Sequence, residues 1–327
     1  MTSLRKFIFF CCFAFAFFAS TALSYAGDYP SRLIRVVVPW PAGGGNDVLG
    51  RLIGQQMEKS LGQQVIVENK PGASGIIGAR EVVKAKPDGY TLLLTSNSLT
   101  LNAALRPERQ QIDVLKDLEP IAVAATVAGI IVVNPSVPAH SVKELVALAK
   151  AKPGTLTAGT SGVGSPAYFL LKDFESRTGI DVVEVPYKGA PPLMNALLGG
   201  RIDFSIANPA VALPQIKAGK VRALAVASAR RSPTLPDLPT VEEAGIPGFV
   251  DNHWMGYFAP RGTPAAIIDR LIMAIHDAVA VSQVAASLQK TGIAVDRSSN
   301  PASFTKLLKQ DLEQYQRLIK AAHITAD

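Results

Sequence analysis

The sequence predicts an α/β protein made of two doubly wound domains. From residue 33 onward, short β-branched runs alternate with Gly- or Pro-rich turns and with segments whose apolar residues recur at helical spacing. Strands that alternate with helices indicate parallel sheets with helical crossovers. The chain has 327 residues, which is too long for one hydrophobic core and is typical of about two domains.

The first α/β unit contains three predicted strands and two predicted helices. The apolar residues of its first helix recur at helical spacing and are Val48, Leu49, Leu52, Ile53 and Met57. The strands span 33–38, 65–67 and 90–95, and the second helix spans 76–84.

The second unit repeats the same pattern. Ser141 followed by Glu144 is a capping-box signal for a helix that ends near 152–154. The predicted strands of this unit span 155–158, 182–185, 202–206 and 221–227, with helices between them. Two amphipathic helices near 264–281 and 301–322 follow, the last with an Asn300 cap and Pro301 in its first turn.

Two segments are predicted to cross between the domains, one within 121–134 and one within 249–259. We therefore expect one domain from 27–125 plus 253–327 and the other from 126–252. Two crossings form a hinge that can close the domains over a cleft. This is a flytrap-like architecture.

The N-terminus has the layout of a secretory signal peptide. Arg5 and Lys6 precede an apolar stretch at 7–23, and the small-residue site at 24–26 follows it. The alternative is a membrane anchor, but the apolar run is shorter than the roughly 20 residues that span a bilayer. We therefore expect residues 1–26 to be removed and the mature, soluble chain to be exported.

Composition excludes several function classes. Both cysteines, Cys11 and Cys12, lie in the predicted signal peptide, so the mature chain would have no disulfide or thiolate chemistry. The formal net charge of +7 is spread thinly along the chain. Without a Lys/Arg block or interleaved aromatic residues, it does not indicate nucleic-acid binding.

The loop at 39–47 is the first candidate for ligand binding, because it joins the first strand to the first helix. Ligands of open α/β sheets bind beyond the carboxyl ends of strands, and free amides at a helix start suit an anion. Asn46 and Asp47 have an alternative role as helix caps, and the whole loop has one as a bare turn. The predicted contacts are Trp40, Pro41, Ala42, Gly43, Gly44, Gly45, Asn46 and Asp47.

A Gly-rich loop in the second unit has the same position after a strand. Ser165 is a good N-cap with Pro166 at the first helical position, so it has a structural role as well. Two such loops, one from each domain, could bind the same carboxylate from opposite sides. The predicted contacts in this loop are Thr160, Ser161, Val163, Gly164 and Ser165.

Other loops at predicted strand ends supply further candidates. Ser74 lies near a helix start, and Ser96 with Asn97 ends the third strand, where an ordinary turn role is equally consistent with the sequence. Tyr187, and Ala207 with Asn208, follow strands of the second unit, and Tyr187 has the alternative of an exposed turn residue. All of these residues are predicted to contact the ligand.

Short motifs follow one another across almost the whole mature chain. They are Pro-Ala-Gly-Gly-Gly at 41–45, Pro-Asp-Gly-Tyr-Thr at 87–91, Gly-Val-Gly-Ser-Pro at 162–166, Val-Pro-Tyr-Lys-Gly at 185–189, Leu-Gly-Gly-Arg-Ile-Asp at 198–203 and Ile-Lys-Ala-Gly-Lys-Val-Arg-Ala-Leu-Ala at 216–225. In this order they resemble the tripartite tricarboxylate transporter receptors, also called TctC or Bug-type extracytoplasmic solute receptors.

The resemblance implies a two-domain receptor of the periplasmic-binding-protein type that passes its ligand to membrane permease subunits. It also implies that a ligand carboxylate is held by the loops at 40–47 and 160–165, partly through ordered water. Two departures stand out: Ala167-Tyr168 lies where the family often has a His, and Ala207-Asn208 lacks a nearby acid. The expected ligand is a dicarboxylate, a tricarboxylate or an aromatic carboxylate. The missing acid favours the first and the last of these, because an amino-acid ligand would lose its ammonium partner.

Catalysis is not predicted. Ser74, Ser161 and Ser165 each lack a glycine on at least one side of the nucleophile-elbow pattern, which argues against the alternative of a secreted hydrolase. The histidines are scattered without metal-ligand spacing at His140, His253, His276 and His323. We expect no metal and no cofactor in a monomeric receptor, and a periplasmic sensor or adaptor is the alternative that sequence does not separate from it.

Overall fold

The computed structural model describes residues 29–105, 112–251, 253–321 and 324 of the chain. The predicted signal peptide at 1–26, with Cys11 and Cys12, lies outside the described residues. The described chain forms two sheets, each covered by helices, so the predicted two-domain α/β fold is confirmed. The part around each sheet is called a lobe below.

The first lobe is built on a six-stranded sheet in the order β11-β4-β10-β3-β1-β2. The three strands nearest the β2 edge are parallel, whereas β10 runs antiparallel to β3 and β4, and β11 antiparallel to β4. The strand bounds are β1 Ile34–Val38, β2 Val65–Asn69, β3 Thr91–Ser96, β4 Leu118–Val127, β10 His253–Pro260 and β11 Ile293–Val295.

The second lobe is built on a five-stranded sheet in the order β7-β6-β8-β5-β9. Here β6 is parallel to β7 and β8, and β5 is antiparallel to β8 and β9. The strand bounds are β5 Ile130–Val133, β6 Thr157–Thr160, β7 Val183–Pro186, β8 Phe204–Ala207 and β9 Arg222–Val226.

The expectation of parallel sheets is confirmed for β1–β3 and for β6–β8, but it is wrong at the strands next to the crossings. Strand β5 enters the second sheet directly from β4, and β10 returns to the first sheet, without a helical crossover that would turn the chain around. A strand that arrives in this way pairs antiparallel with its neighbour. Both sheets are therefore mixed.

Ten α-helices are present in the described residues. Their bounds are α1 Gly45–Leu61, α2 Ile76–Val83, α3 Ser98–Leu105, α4 Val142–Ala151, α5 Pro166–Thr178, α6 Ala190–Leu198, α7 Pro209–Lys217, α8 Ala265–Ala280, α9 Ser282–Lys290 and α10 Pro301–Ala321. A short 3-10 turn, Ala73–Gly75, precedes α2. The sequence did not predict α3, because all eight of its residues are buried and no polar face marks its period.

Each sheet is buried on both faces, as a doubly wound fold requires. In β1, Val36 and Val38 belong to the core beneath α1 and α8, whereas Val37 faces the core beneath α2 and α10. In β5, Ile131 and Ile130 face opposite cores in the same way. This alternation follows from the two-residue period of a strand.

The chain crosses between the lobes twice, as predicted. The outward crossing is residues 128–129, between β4 and β5, and the return crossing leads from β9 to β10 through Asp251. Hydrogen bonds join the two crossings: Ala227 N donates to Gly129 O at 2.8 Å, and Gly129 N donates to Asp251 Oδ2 at 2.9 Å. The placement of domain boundaries at 125/126 and 252/253 stays a prediction.

Within the described ranges, no single helix is both long and apolar enough to cross a membrane. Helices α8 and α9 meet the length and composition criteria only together, as a pair bent by 70°. Leu271, Ile275 and Leu288 of this pair are fully buried in the core of the first lobe.

Helix α10 is attached to the first lobe through a buried carboxyl group. Trp254 Nε1 donates to Asp311 Oδ2 at 2.6 Å, and Thr100 Oγ1 donates to the same oxygen at 3.3 Å. Burial raises the pKa of Asp311 to about 6, although both hydrogen bonds act in the opposite direction. Ionising this group is therefore costly in the folded state.

We predict that Asp311→Asn flattens the pH dependence of stability. Because the folded pKa of Asp311 lies above its ordinary value of 3.8, the wild-type free energy of unfolding decreases as pH rises through about 6. An Asn at position 311 cannot ionise, so the free energy of unfolding of the variant does not fall with this group. The variant should therefore be more stable than wild type at pH 8 by on the order of 1–3 kcal/mol. Urea unfolding at pH 5 and pH 8 measures the difference.

The matched control is Asp277→Asn, which neutralises an exposed carboxylate on α8. It should leave the slope of stability against pH as in wild type. Asp251, whose pKa burial raises to about 7, adds to the wild-type slope in the same direction and remains in both variants. An Asp311→Asn protein with the wild-type slope would contradict the prediction.

Candidate functional site

A cavity of about 70 Å³ lies between the two lobes and is called the central cavity. The first lobe contributes Trp40, Pro41, Gly44, Gly45, Asn46, Ser96, Val127 and His253 to its wall. The second lobe contributes Ser161, Pro166, Ala167, Leu170, Ala190, Pro191, Leu193, Ile206, Ala207, Asn208, Pro209 and Val211, and the crossings contribute Gly129 and Asp251. The cavity is therefore enclosed by both lobes and by the hinge.

Four helices begin at the wall of the central cavity. Their first residues are Gly45 of α1, Pro166 of α5, Ala190 of α6 and Pro209 of α7. The N-terminus of a helix carries partial positive charge and attracts anions. No Lys or Arg is present among the described residues that line the cavity. The partial positive charge at the cavity wall therefore comes from the helix N-termini.

The α1 N-terminus has amide donors free for a ligand. The first N–H groups of a helix have no partner within the helix, and the N-cap of α1, Gly44, makes no side-chain hydrogen bond to them. By contrast, Ser165 Oγ accepts from Tyr168 N in α5, and Asn208 Oδ1 accepts from Ala210 N in α7. The N-cap of α6, Gly189, also makes no side-chain hydrogen bond, but Pro191 in the first turn of α6 has no N–H group. The α1 N-terminus therefore has the larger set of free amide donors.

Three polar atoms of cavity-lining residues are buried without a hydrogen-bond partner in the described part of the chain. They are Trp40 Nε1, Asn46 Oδ1 and His253 Nε2. Buried polar groups in folded proteins are nearly always hydrogen-bonded. These three atoms are therefore positions at which a bound molecule could form hydrogen bonds with the cavity wall.

Nine of the predicted contact residues lie together on the cavity wall. They are Trp40, Pro41, Gly44, Gly45, Asn46, Ser96, Ser161, Ala207 and Asn208. Gly45 is needed for this close approach, because a Cβ there would lie 3.0 Å from Asn208 Nδ2 across the cleft. The loop at 39–47 thus faces Asn208 across the cleft, whereas the loop at 160–165 adds Ser161 to the wall and its Gly164 faces Asn102.

The other ten predicted residues do not line the cavity: Ala42, Gly43, Asp47, Ser74, Asn97, Thr160, Val163, Gly164, Ser165 and Tyr187. Most of them hold the loops in place. Thr160 Oγ1 donates to Glu184 Oε1 at 2.7 Å, Tyr187 N donates to Thr160 O at 2.9 Å, and Asn97 Nδ2 donates to Tyr315 OH at 2.8 Å. Direct ligand contacts by these residues stay predictions.

Asp47 stabilises the loop before α1. Its Oδ2 accepts from Gly43 N at 2.9 Å, and its Oδ1 accepts from Arg51 and Asn69 at 3.0 Å. Burial acts to raise the pKa of Asp47, but the hydrogen bonds from Arg51, Gly43 and Asn69 outweigh it and lower that pKa. The carboxylate therefore stays ionised and holds the loop in the shape that presents Gly44 and Gly45.

Ser74 and Gly164 meet in a contact between the lobes, which we call the interlobe latch. Ser74 Oγ donates to Val163 O at 2.5 Å, and Asn102 Nδ2 donates to Gly164 O at 3.0 Å. Gly164 has a φ of +82°, and a Cβ there would lie 2.3 Å from Asn102 Oδ1. Only glycine fits this position when the lobes are closed.

Sequence reasoning missed Asp251 and His253, which both line the cavity. They lie before and at the start of β10, whereas we searched only the loops that follow strands. Burial raises the pKa of Asp251 to about 7 and lowers that of His253 to about 4. Their position on the predicted return crossing was the one feature of the sequence that could have placed them beside the cleft.

Residues 49–324 match the sequence model described as "Tripartite tricarboxylate transporter family receptor". The chain belongs to this family. The protein BugT of Bordetella pertussis is 40% identical to this receptor over 256 residues, which is 78% of each chain. The predicted family is therefore confirmed.

Two solved structures of Rhodopseudomonas palustris proteins are similar to the receptor over nearly their whole length. One, determined with adipate, has a TM-score of 0.87 and 32% identity, covering 91% of this chain and 99% of the other. MatC with bound malate has a TM-score of 0.85 and 32% identity, covering 89% and 100%. Both were solved with a small carboxylate.

The histidines that the structure describes lie far apart in the sequence and on different elements, with His276 in α8. His140 N donates to Glu144 Oε2 at the start of α4, and His253 lies apart from it on β10. His323 is outside the described residues. No group of three or more potential metal ligands occurs among the residues that the structure describes.

We predict that removing the interlobe latch opens the receptor. The double variant Ser74→Ala, Asn102→Ala loses both hydrogen bonds that join the lobes here, together with those from Asn102 to Ser98 O and Ser74 O within the first lobe. Each of the two interlobe bonds is worth about 0.5–1.5 kcal/mol, so the equilibrium should move toward the open form by about 1–3 kcal/mol. Small-angle X-ray scattering of the ligand-free protein should give a larger radius of gyration. Ser60→Ala, which removes a hydroxyl bonded within α1, is the control, and an unchanged radius in the double variant would refute the role.

Proposed function

We propose that the chain is an exported, periplasmic receptor that captures a small carboxylate and delivers it to a tripartite tricarboxylate-type membrane transporter. The observation that carries the proposal is the uncapped N-terminus of α1 at an enclosed cavity. The dicarboxylates, tricarboxylates and aromatic carboxylates are the candidate ligand classes. The predicted signal peptide at 1–26 supports export.

The geometry favours a carboxylate over a neutral group of similar shape. Hydrogen bonds to a charged acceptor contribute about 1.5–3 kcal/mol, roughly twice as much as neutral ones. A favourably placed helix N-terminus adds about 0.3–1 kcal/mol, and up to about 2 where it is partly buried. A methyl ester or amide has no negative charge, so it loses the charge-dependent part of the hydrogen bonds and the attraction to the helix N-terminus.

The size of the central cavity favours a small ligand. A water molecule needs about 10–15 Å³ on the same measure, so the 70 Å³ of the cavity correspond to about five to seven waters. Among the three ligand classes, a short dicarboxylate fits this space better than a tricarboxylate or an aromatic acid. The relatives solved with adipate and malate support a dicarboxylate as the starting point.

We predict that free carboxylates, and not their esters or amides, stabilise the purified mature protein. A thermal-shift screen would compare malate, succinate, adipate, citrate and benzoate with their methyl esters and amides. A ligand at 100 times its Kd stabilises by about 2.7 kcal/mol, which raises the Tm by about 5 °C. Equal shifts with the neutral analogues would contradict carboxylate recognition.

Delivery to a permease predicts a transport phenotype. A strain of the native host that lacks this chain should lose uptake of the radiolabelled carboxylate found in the screen. Expression of the intact chain should restore uptake, whereas Gly45→Ala should not, because its Cβ would meet Asn208 at 3.0–3.3 Å and obstruct closure. Normal uptake in the deletion strain would instead favour a sensor.

A further inference from the structure

Asp251 places a carboxylate at the point where the hinge meets the central cavity. It lies on the return crossing, lines the cavity, and keeps some exposure because it also lines a second cleft between α10 and the loop at 228–234. Its Oδ2 accepts from Gly129 N at 2.9 Å on the outward crossing. The carboxylate is therefore held by the backbone, with its remaining hydrogen-bonding capacity available to a ligand.

This carboxylate lies beside the end of β8. Gly129 precedes Ile130, which pairs with Ala207, and a Cβ on Gly129 would lie 2.9 Å from Ile206 and 3.6 Å from Asp251 Oδ2. The sequence has no acid close to Ala207 and Asn208, which led us to disfavour amino-acid ligands. That argument considered only acids nearby in the sequence, whereas the fold brings Asp251 to this place from 43 to 44 residues further along the chain.

No cation compensates Asp251 within the described chain. Its titratable neighbours are His253 on β10, which burial keeps neutral, and Asp311 and Tyr315 on α10. Arg230 and Arg231 line the second cleft, but neither forms an ion pair with Asp251, and Arg231 instead pairs with Glu243. Burial without a cation raises the pKa of Asp251 to about 7, whereas two backbone N–H donors favour its ionised form.

Resting on the proposed function, we infer that Asp251 is a specificity-determining residue that selects carboxylates carrying a second, hydrogen-bond-donating group, an ammonium or a hydroxyl. The ligand carboxylate binds at the α1 N-terminus, and the donor group reaches Asp251. An ammonium is preferred over a hydroxyl, because it also neutralises the buried charge. An unsubstituted ligand offers Asp251 no hydrogen-bond donor, so its remaining acceptor positions lose contact with water without gaining a partner.

The test compares ligands that share a skeleton and differ in one group. Isothermal titration of the purified mature protein would use succinate, malate and aspartate, then glutarate, 2-hydroxyglutarate and glutamate, then propionate, lactate and alanine. Within the series whose carbon skeleton binds, we expect the amino compound to bind at least tenfold more tightly than the unsubstituted compound. The affinity of the hydroxy compound should lie between those two.

Asp251→Asn should abolish this preference while still accepting the Gly129 N–H through its amide oxygen. The matched control is Asp311→Asn, the same change at a buried acid that does not line the cavity, and it should keep the preference. Thermal unfolding shows whether Asp251→Asn is folded. If it is not, the ligand series on wild-type protein decides the inference alone.

Binding of the amino compound should also depend on pH. Between pH 7.5 and 5.5 the wild-type protein should lose at least about tenfold in affinity as Asp251 is protonated, whereas Asp251→Asn should not. Unsubstituted compounds that bind as tightly as their amino and hydroxy analogues would overturn the inference but leave carboxylate capture intact. If no carboxylate binds at all, the proposed function fails and this inference fails with it.

Discussion

The hydrogen bonds between the two crossings are the constraint on which the rest of the structure depends. Gly129 and Ala227 are paired through the backbone, and Asp251 closes the group by accepting from Gly129. Because both connections between the lobes pass through this point, it forms the hinge and one wall of the central cavity. Relative motion of the lobes is therefore motion about the same residues that border the space for a ligand.

The central cavity offers an anion backbone amides and no Lys or Arg side chain among the described residues that line it. The α1 amides are presented by a loop whose shape depends on Asp47 and on Gly45, which faces Asn208 across the cleft. Since a helix start is a fixed arrangement of donors, it needs little reorganisation when an anion arrives. Substitution of side chains such as Trp40 and Asn46 can then change the rest of the cavity wall while the backbone amides that face the ligand carboxylate stay in place.

Sequence patterns predicted local features well and long-range contacts poorly. The caps at Ser141 and Ser165 are as predicted, because a cap is formed by residues a few positions apart. The direction of β10 and the meeting of Ser74 with Val163 depend on the path of the whole chain, which no local pattern records. Asp251 was missed for the same reason, and α3 because its burial is complete.

The proline residues that open the second-lobe helices give the two lobes different roles. Pro166, Pro191 and Pro209 occupy first-turn positions at the cavity wall, where each removes a backbone donor but leaves the helix dipole in place. The second lobe thus offers an anion three helix dipoles but fewer backbone N–H donors than three uninterrupted helix starts would. Docking on the first lobe followed by electrostatic closure of the second is the order of events that this asymmetry implies.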